Sequence, residues 1–274
     1  MRFCKGLASF VVAGAMTALC TGWAGAQEFT CYDNAAKSMT AKIVGGTRVR
    51  GDNYPWIVNL DIGNDGYKNC GGTLVAPDLV VTAAHCVNRD PSASNYTVRR
   101  TQDDGFWKGE TSSVREVVVH PDYDPERSTN DIALLKLSTS MSVAPARLPR
   151  LLSDANKDYW AKPGHCAQVI GWGTTSSGGS ATEYLESVYV PIWKNLECNA
   201  AIGDINRAMM CAGYVGGGYD SCQGDSGGPL IIEGGATGTI LAGVVSWGYG
   251  CAEPNQPGVY ARVSEFEAWI RANY

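Results

Sequence analysis

The stretch DSCQGDSGGPL (220–230) surrounds one hydroxyl, that of Ser226, with backbone able to turn sharply. Gly224, Gly227 and Gly228 flank the serine, and two acids, Asp220 and Asp225, precede it. Gly, Ser and Asp also build ordinary turns, so the stretch alone leaves a surface turn and a nucleophile both open. A hydroxyl attacks well only when a base takes its proton, and the base must itself be oriented. The chain has three histidines. His120 stands before Pro121 at a strand end and His165 adjoins Cys166 in a loop; both read as structural. His85 closes the apolar run VVTAAH, and Cys86 follows it, a residue able to pin the backbone. Asp131 opens DIALLKL, which reads as a strand buried on both sides. A carboxylate there is costly unless hydrogen-bonded, and an imidazole N–H would supply that bond while holding the ring in one tautomer. Each of the three also has a plain structural reading.

The elements that must position these residues are short. From about residue 54 apolar runs recur between turn signals: LVVTAAHC (79–86), VREVVVH (114–120), DIALLKL (131–137), CAQVIGWG (166–173), YLESVYVPI (184–192), PLII (229–232), ILAGVVSWG (240–248) and GVYARV (258–263). That is an all-β, antiparallel pattern of a sandwich or barrels. The turn-rich segment 142–164 reads as a connector between two β-halves. One helix is expected, in VSEFEAWIRANY at the C-terminus, capped by the Ser264/Glu267 box with Phe266, Trp269 and Ile270 on one face.

The first 26 residues read as an export signal: Arg2 and Lys5, the apolar run LASFVVAGAMTALC, then Ala24-Gly25-Ala26. The run is short for a membrane span. Cys20 also permits a lipoprotein signal, although Leu19 before it fits poorly. The expected mature chain starts at Gln27 and is secreted, extracellular or periplasmic. Without Arg2 and Lys5, the 22 basic residues become 20 against 27 acidic ones, a net charge of −7, which argues against nucleic acid as a partner. Of ten cysteines, Cys4 and Cys20 leave with the signal; eight remain, an even number that reads as disulfides in an exported chain. No C-x-x-C pair occurs, so no metal site and no cofactor are expected.

Taken jointly, IVGG (43–46), TAAHC (82–86), DIALLKL (131–137), GDSGGP (224–229) and SWG (246–248) resemble, in order and spacing, the chymotrypsin-like serine proteases. The resemblance spans 43–274. It implies two packed antiparallel six-stranded β-barrels with a C-terminal α-helix, and a secreted endopeptidase. The roles that follow come from the general template of these enzymes, not from spacing. Ser226 matches the nucleophile, His85 the general base and then acid, Asp131 the orienting carboxylate. The N–H groups of Gly224 and Ser226 match the oxyanion hole, whose donors are typically worth about 3 kcal/mol each. Ser246 to Gly248 match the edge on which substrate backbone pairs. Asp220 matches the acid at the base of a trypsin-like specificity pocket, with Gly248 and Gly258 the small residues that keep it open. Cleavage after Arg or Lys is implied.

The resemblance also implies a zymogen. Residues 27–42 match an activation propeptide ending at Lys42; a cut there frees the Ile43 amine to pair with Asp225. Lys42 is itself a trypsin-type site, so self-activation is expected. Three bridges are implied, Cys70–Cys86, Cys198–Cys211 and Cys222–Cys251. Cys166 lacks its usual partner, because Ile232 stands at that position; Cys31 is left over, and a Cys31–Cys166 bridge that would keep the cut propeptide attached is expected. TQDDGFWKGE (101–110) falls where some trypsins hold calcium, with Asp103, Asp104 and Glu110 as the ligand types, but the loop is short and reads as charged surface. Asn95-Tyr96-Thr97 is a glycosylation sequon. The implied partners are polypeptides with Arg or Lys at the cleaved position and protein protease inhibitors, with no membrane and a monomeric enzyme. The alternatives are a silent homologue acting as a secreted binding or inhibitory protein, and a protease cutting after large apolar residues.

Overall fold

After a two-residue strand β1 (Thr47–Arg48), six strands in the first half of the chain close on themselves. They are β2 (Ile57–Ile62), β3 (Asn69–Ala76), β4 (Leu79–Thr82), β5 (Tyr96–Thr101), β6 (Gly109–Val119) and β7 (Ala133–Leu137), paired in the order β2-β3-β4-β7-β6-β5 and back to β2. Every residue of β4 is buried, and so is every residue of β7 except Lys136. The computed structural model describes residues 31, 44–63, 69–101, 109–144, 149–234, 236 and 238–274. The segment read as an export signal, most of the segment read as a propeptide, Lys42, Ile43, Asp103 and Asp104 therefore lie outside the described residues.

The second half carries β8 (Arg150–Leu151), β9 (Cys166–Gly171), β10 (Glu186–Pro191), β11 (Met209–Ala212), β12 (Pro229–Glu233), β13 (Thr239–Trp247) and β14 (Gly258–Arg262). Their order is β10-β9-β12-β13-β14-β11, with β1 added beside β10 and β8 parallel to β13. A single antiparallel bridge, Ile192 to Ala212, returns β11 to the end of β10, supported by Trp193 N–H to Cys211 O at 2.9 Å and Gly213 N–H to Pro191 O at 3.0 Å. The expected all-β fold is thus present, as a closed six-stranded barrel and a second, mainly antiparallel sheet.

Helix α3 (Val263–Ala272) buries Phe266 and Ile270 where the cores of the two halves meet. His120 is structural: its ring lies 5.2 Å from Phe266 and 4.8 Å from Trp269. The expected capping box is not there. The chain passes from β14 straight into the helix, so the cap falls at Arg262, whose guanidinium bonds Met209 O and Asn195 Oδ1. Ser264 is therefore inside the first turn with its hydroxyl buried and unpartnered, and Glu267 pairs with Arg271. Two short helices went unpredicted. Helix α1 (Asp154–Trp160) lies within the segment read as connector, and Asn156 Oδ1 accepts from Ser153 N–H at its start. Helix α2 (Asn195–Ile202) buries only Cys198, so no apolar stripe announces it. No helix among the described residues is long and apolar enough to cross a membrane.

Glu110, the one described residue of the calcium-type set, is occupied by protein donors. Its carboxylate accepts from Arg100 Nε and Nη2, from Ser142 N–H and from the Ser142 hydroxyl. Arg100 is 7% exposed, so this pair clamps the first barrel to the chain after β7. Burial pushes the Glu110 carboxyl up, but the Ser142 and Arg100 donors outweigh it and hold the group below its ordinary value. A depressed carboxylate contributes stability above its unfolded pKa and loses it as pH falls through the folded pKa. Glu110→Gln is expected to cost about 2 kcal/mol at neutral pH, with the gap to the parent closing as pH falls. Thermal melts from pH 7 to 3 check this; a constant gap would contradict it.

Candidate active site

The first barrel brings two of the three residues together by strand register. Thr82 at the end of β4 pairs with Ala133 at the start of β7, so chain leaving β4 and chain entering β7 lie at one rim. His85 sits there on a 3-10 turn, Ala84–Cys86, and Asp131 two residues before Ala133. The Cys70–Cys86 disulfide fixes the turn to β3. His85 N–H donates to Asp131 Oδ1 at 2.8 Å, and His85 Nδ1 lies 2.7 Å from Oδ2. The Ser246 hydroxyl, from β13, donates to the same Oδ2. Three donors compensate a carboxylate that is 1% exposed. They also select the tautomer with the proton on Nδ1, leaving Nε2 as the acceptor of a ring about one-third exposed.

Ser226 comes from the second half and is held against this rim by backbone. Gly71 N–H in β3 donates to Ser226 O at 2.7 Å, while the Thr82 hydroxyl donates to Gly71 O at 2.8 Å. Gly227 N–H bonds Val245 O, and Val245 N–H bonds Gly228 O, both at 2.9 Å. Gly227 has φ +77°, and a Cβ there would collide with the Thr82 hydroxyl and the Gly71 carbonyl. Only glycine lets the serine segment lie this close to the chain leading into His85. The ring's hydrogen bond runs to Asp131. Gly224 has φ +96°. Among the described residues neither its N–H nor that of Ser226 donates a hydrogen bond.

A cavity of about 160 Å³ is lined by Ser226 and by Asp220. Asp220 is 4% exposed and accepts from Ser221 N–H at 2.8 Å and Ala252 N–H at 3.2 Å. Burial outweighs these donors and pushes the carboxyl up to about 7. Gly258 is required for room: a Cβ there would lie 2.7 Å from Asp220 Oδ1. Gly248 faces it, 3.8 Å from Cβ position to Gly258 Cα, and Cys222–Cys251 joins the two walls. Two further groups near Asp220 escaped sequence reasoning, the Ser221 hydroxyl and, behind the cavity wall, the buried Tyr260 hydroxyl, 3.3 Å apart. Tyr260 could have been found from its place two residues after Gly258, on the same face of β14.

Asp225 is 1% exposed, and accepts from Gly173 N–H at 2.8 Å and Cys222 N–H at 2.9 Å. Burial pushes it up to about 6. Ile43 lies outside the described residues, but its neighbour is placed: Val44 O accepts from Asp220 N–H at 3.3 Å. Gly45, at φ +75°, packs against the Tyr219 ring so closely that any Cβ would collide. The remaining bridges are Cys198–Cys211 and Cys31–Cys166.

Comparison with known proteins agrees with this geometry. The trypsin family model matches residues 43–270. Trypsin 5G1 of Aedes aegypti is 39% identical over 246 residues, covering 87% of this chain and 86% of the relative. A trypsin of Squalus acanthias is 40% identical over 238 residues, 84% of this chain and 94% of the relative. A trypsin of Saccharopolyspora erythraea is 40% identical over 226 residues, 82% and 94% respectively. The chain belongs to the trypsin family and is a serine endopeptidase acting on polypeptides.

Proposed function

We propose that this is a secreted, monomeric trypsin-like endopeptidase, made as a zymogen and cleaving after Arg or Lys. The observation that carries the specificity is Asp220, a buried carboxylate with two backbone donors in the lining of the cavity that also holds Ser226. A guanidinium or ammonium group there supplies the donors and charge that water cannot.

In this reading Ser226 Oγ attacks the scissile carbonyl while His85 Nε2 takes its proton, and Asp131 stabilises the imidazolium. The free N–H groups of Gly224 and Ser226 receive the oxyanion. His85 then protonates the leaving amine, and a water attacks the acyl-enzyme by the same route in reverse. Activation is a cut between Lys42 and Ile43, with the new amine pairing with Asp225. The contact of Val44 O with Asp220 N–H supports the coupling, because chain just after the cut touches the pocket wall. Protein inhibitors that present Arg or Lys to the pocket are natural partners.

A pH dependence tests the specificity. A cation binds the ionised form of Asp220, whose carboxyl burial pushes up to about 7. The Ki of an arylamidinium competitive inhibitor is therefore expected to be flat above pH 8 and to rise toward tenfold per unit below pH 7. Asp220→Asn should abolish both the affinity and the slope. A Ki unchanged from pH 5 to 9 would contradict the assignment.

A further inference from the structure

The Cys70–Cys86 bridge lies against His85. Both Sγ atoms and a ring nitrogen of His85 fall within 4.8 Å of one another, a group of two sulfurs and one imidazole. A closed disulfide offers no thiolate to a cation, so the group is inert in the oxidised enzyme. Its framework does not depend on the bridge. Cys70 sits in β3, opposite Leu60 of β2. Cys86 ends the 3-10 turn, where His85 N–H is bonded to Asp131 Oδ1. The two Cα atoms are 6.3 Å apart. Tetrahedral zinc, with Zn–S bonds of about 2.3 Å, needs its sulfurs about 3.8 Å apart and each about 3.6 Å from the ring nitrogen. Rotation of the two cysteine side chains on a fixed backbone separates the sulfurs that far, and the imidazole already stands beside them.

We propose that opening Cys70–Cys86 creates a zinc site made of Cys70, Cys86 and His85, and that the bound metal silences the enzyme by occupying the ring that serves Ser226. Metal binding follows from the geometry; the silencing rests on His85 as the base. A trialkylphosphine is the reductant: phosphorus and one water take the oxygen as phosphine oxide, and the sulfur–sulfur bond becomes two thiols. Zinc then displaces both thiol protons to solvent and takes two thiolates, one imidazole and a water. Two thiolates neutralise the cation, which suits a site where Cys70 is buried. Cys86 and His85 are partly exposed, so reductant and metal have access. Asp131 already prepares the imidazole. Its Oδ2 lies 2.7 Å from Nδ1, which keeps the proton there and leaves the Nε2 lone pair for the metal, the way a carboxylate orients histidine ligands of zinc. The metal also restores the link between β3 and the turn that the opened bridge gave up.

The test treats active wild-type enzyme with a water-soluble trialkylphosphine under native conditions, removes the phosphine, and adds Co²⁺ or Zn²⁺. Co²⁺ is expected to give thiolate-to-metal charge-transfer absorption that Zn²⁺ displaces. Zn²⁺ should abolish hydrolysis of an arginine peptide amide, and a chelator should restore it. Cys70→Ser/Cys86→Ser, reduced in the same way, keeps the other bridges and should show no such absorption; its persistence there would overturn the site. His85→Ala should weaken Co²⁺ binding by about tenfold or more, and an unchanged affinity would overturn the imidazole ligand. Should the double variant not fold, peptide mapping of alkylated wild type decides. Zn²⁺ is expected to shield Cys70 and Cys86 while the cysteines of any other opened bridge react. Equal alkylation of all would overturn the proposal, as would a Cys70–Cys86 bridge that no phosphine concentration opens short of unfolding. Zinc held by all three ligands with hydrolysis undiminished would overturn the silencing together with His85's role as the base.

Discussion

Replacing Ser226 with alanine is expected to lower kcat on an arginine peptide amide by about 10⁵- to 10⁶-fold. KM and Tm should stay near the parent values. Among the described residues the hydroxyl makes no hydrogen bond that holds the fold; the segment is fixed by backbone bonds from Gly71, Gly227 and Val245. Pocket binding also survives, because Asp220, Gly248 and Gly258 are untouched. Removal of His85 should cost about as much, and the two losses should not add, since each residue is useless without the other. Steady-state kinetics and thermal melts of both single variants and the double variant check this. A loss of less than about a hundredfold in Ser226→Ala would mean that another group attacks the substrate.

Asp220→Ser should lower kcat/KM for the arginine amide by about 10³- to 10⁴-fold, the scale for removing one partner of a buried charge pair. Hydrolysis of a matching phenylalanine amide should not fall. The expected effect on stability has the opposite sign to that on activity. Asp220 is ionised at pH 8 although burial has raised its pKa to about 7. A carboxylate raised above its unfolded value contributes most below the unfolded pKa and loses that contribution as pH rises through 7. The variant should therefore melt no lower than the parent at pH 8. Parallel assays on the two amides, with melts at pH 8, separate this outcome from simple misfolding. Equal losses on both substrates would contradict the pocket assignment.

The strands were readable because each is a short apolar run bounded by turn residues, and burial on both sides leaves little else for runs such as LVVT or ALLKL to form. The meeting of His85 with Asp131 was not readable from periodicity. It depends on β4 pairing β7 in one register, which only the joint motif resemblance implied. What escaped did so for local reasons. Helix α2 buries one side chain, and α1 depends on a cap at Ser153 within a turn-rich stretch. Ser264 looked like a helix cap because its spacing from Glu267 is right, but β14 delivers the chain already turning at Arg262. Ser221 and Tyr260 are polar residues in apolar surroundings, and their importance appears only when the fold sets both beside Asp220.

Activation of Ser226 as the nucleophile is measured most directly by labelling the activated enzyme with a fluorophosphonate, followed by peptide mapping. Attack by Ser226 Oγ would displace fluoride, with His85 taking the proton, so one adduct per enzyme is predicted on the peptide containing Ser226, lost in His85→Ala. Full proteolytic activity with Ser226 unlabelled, or an adduct on a different residue, would contradict it.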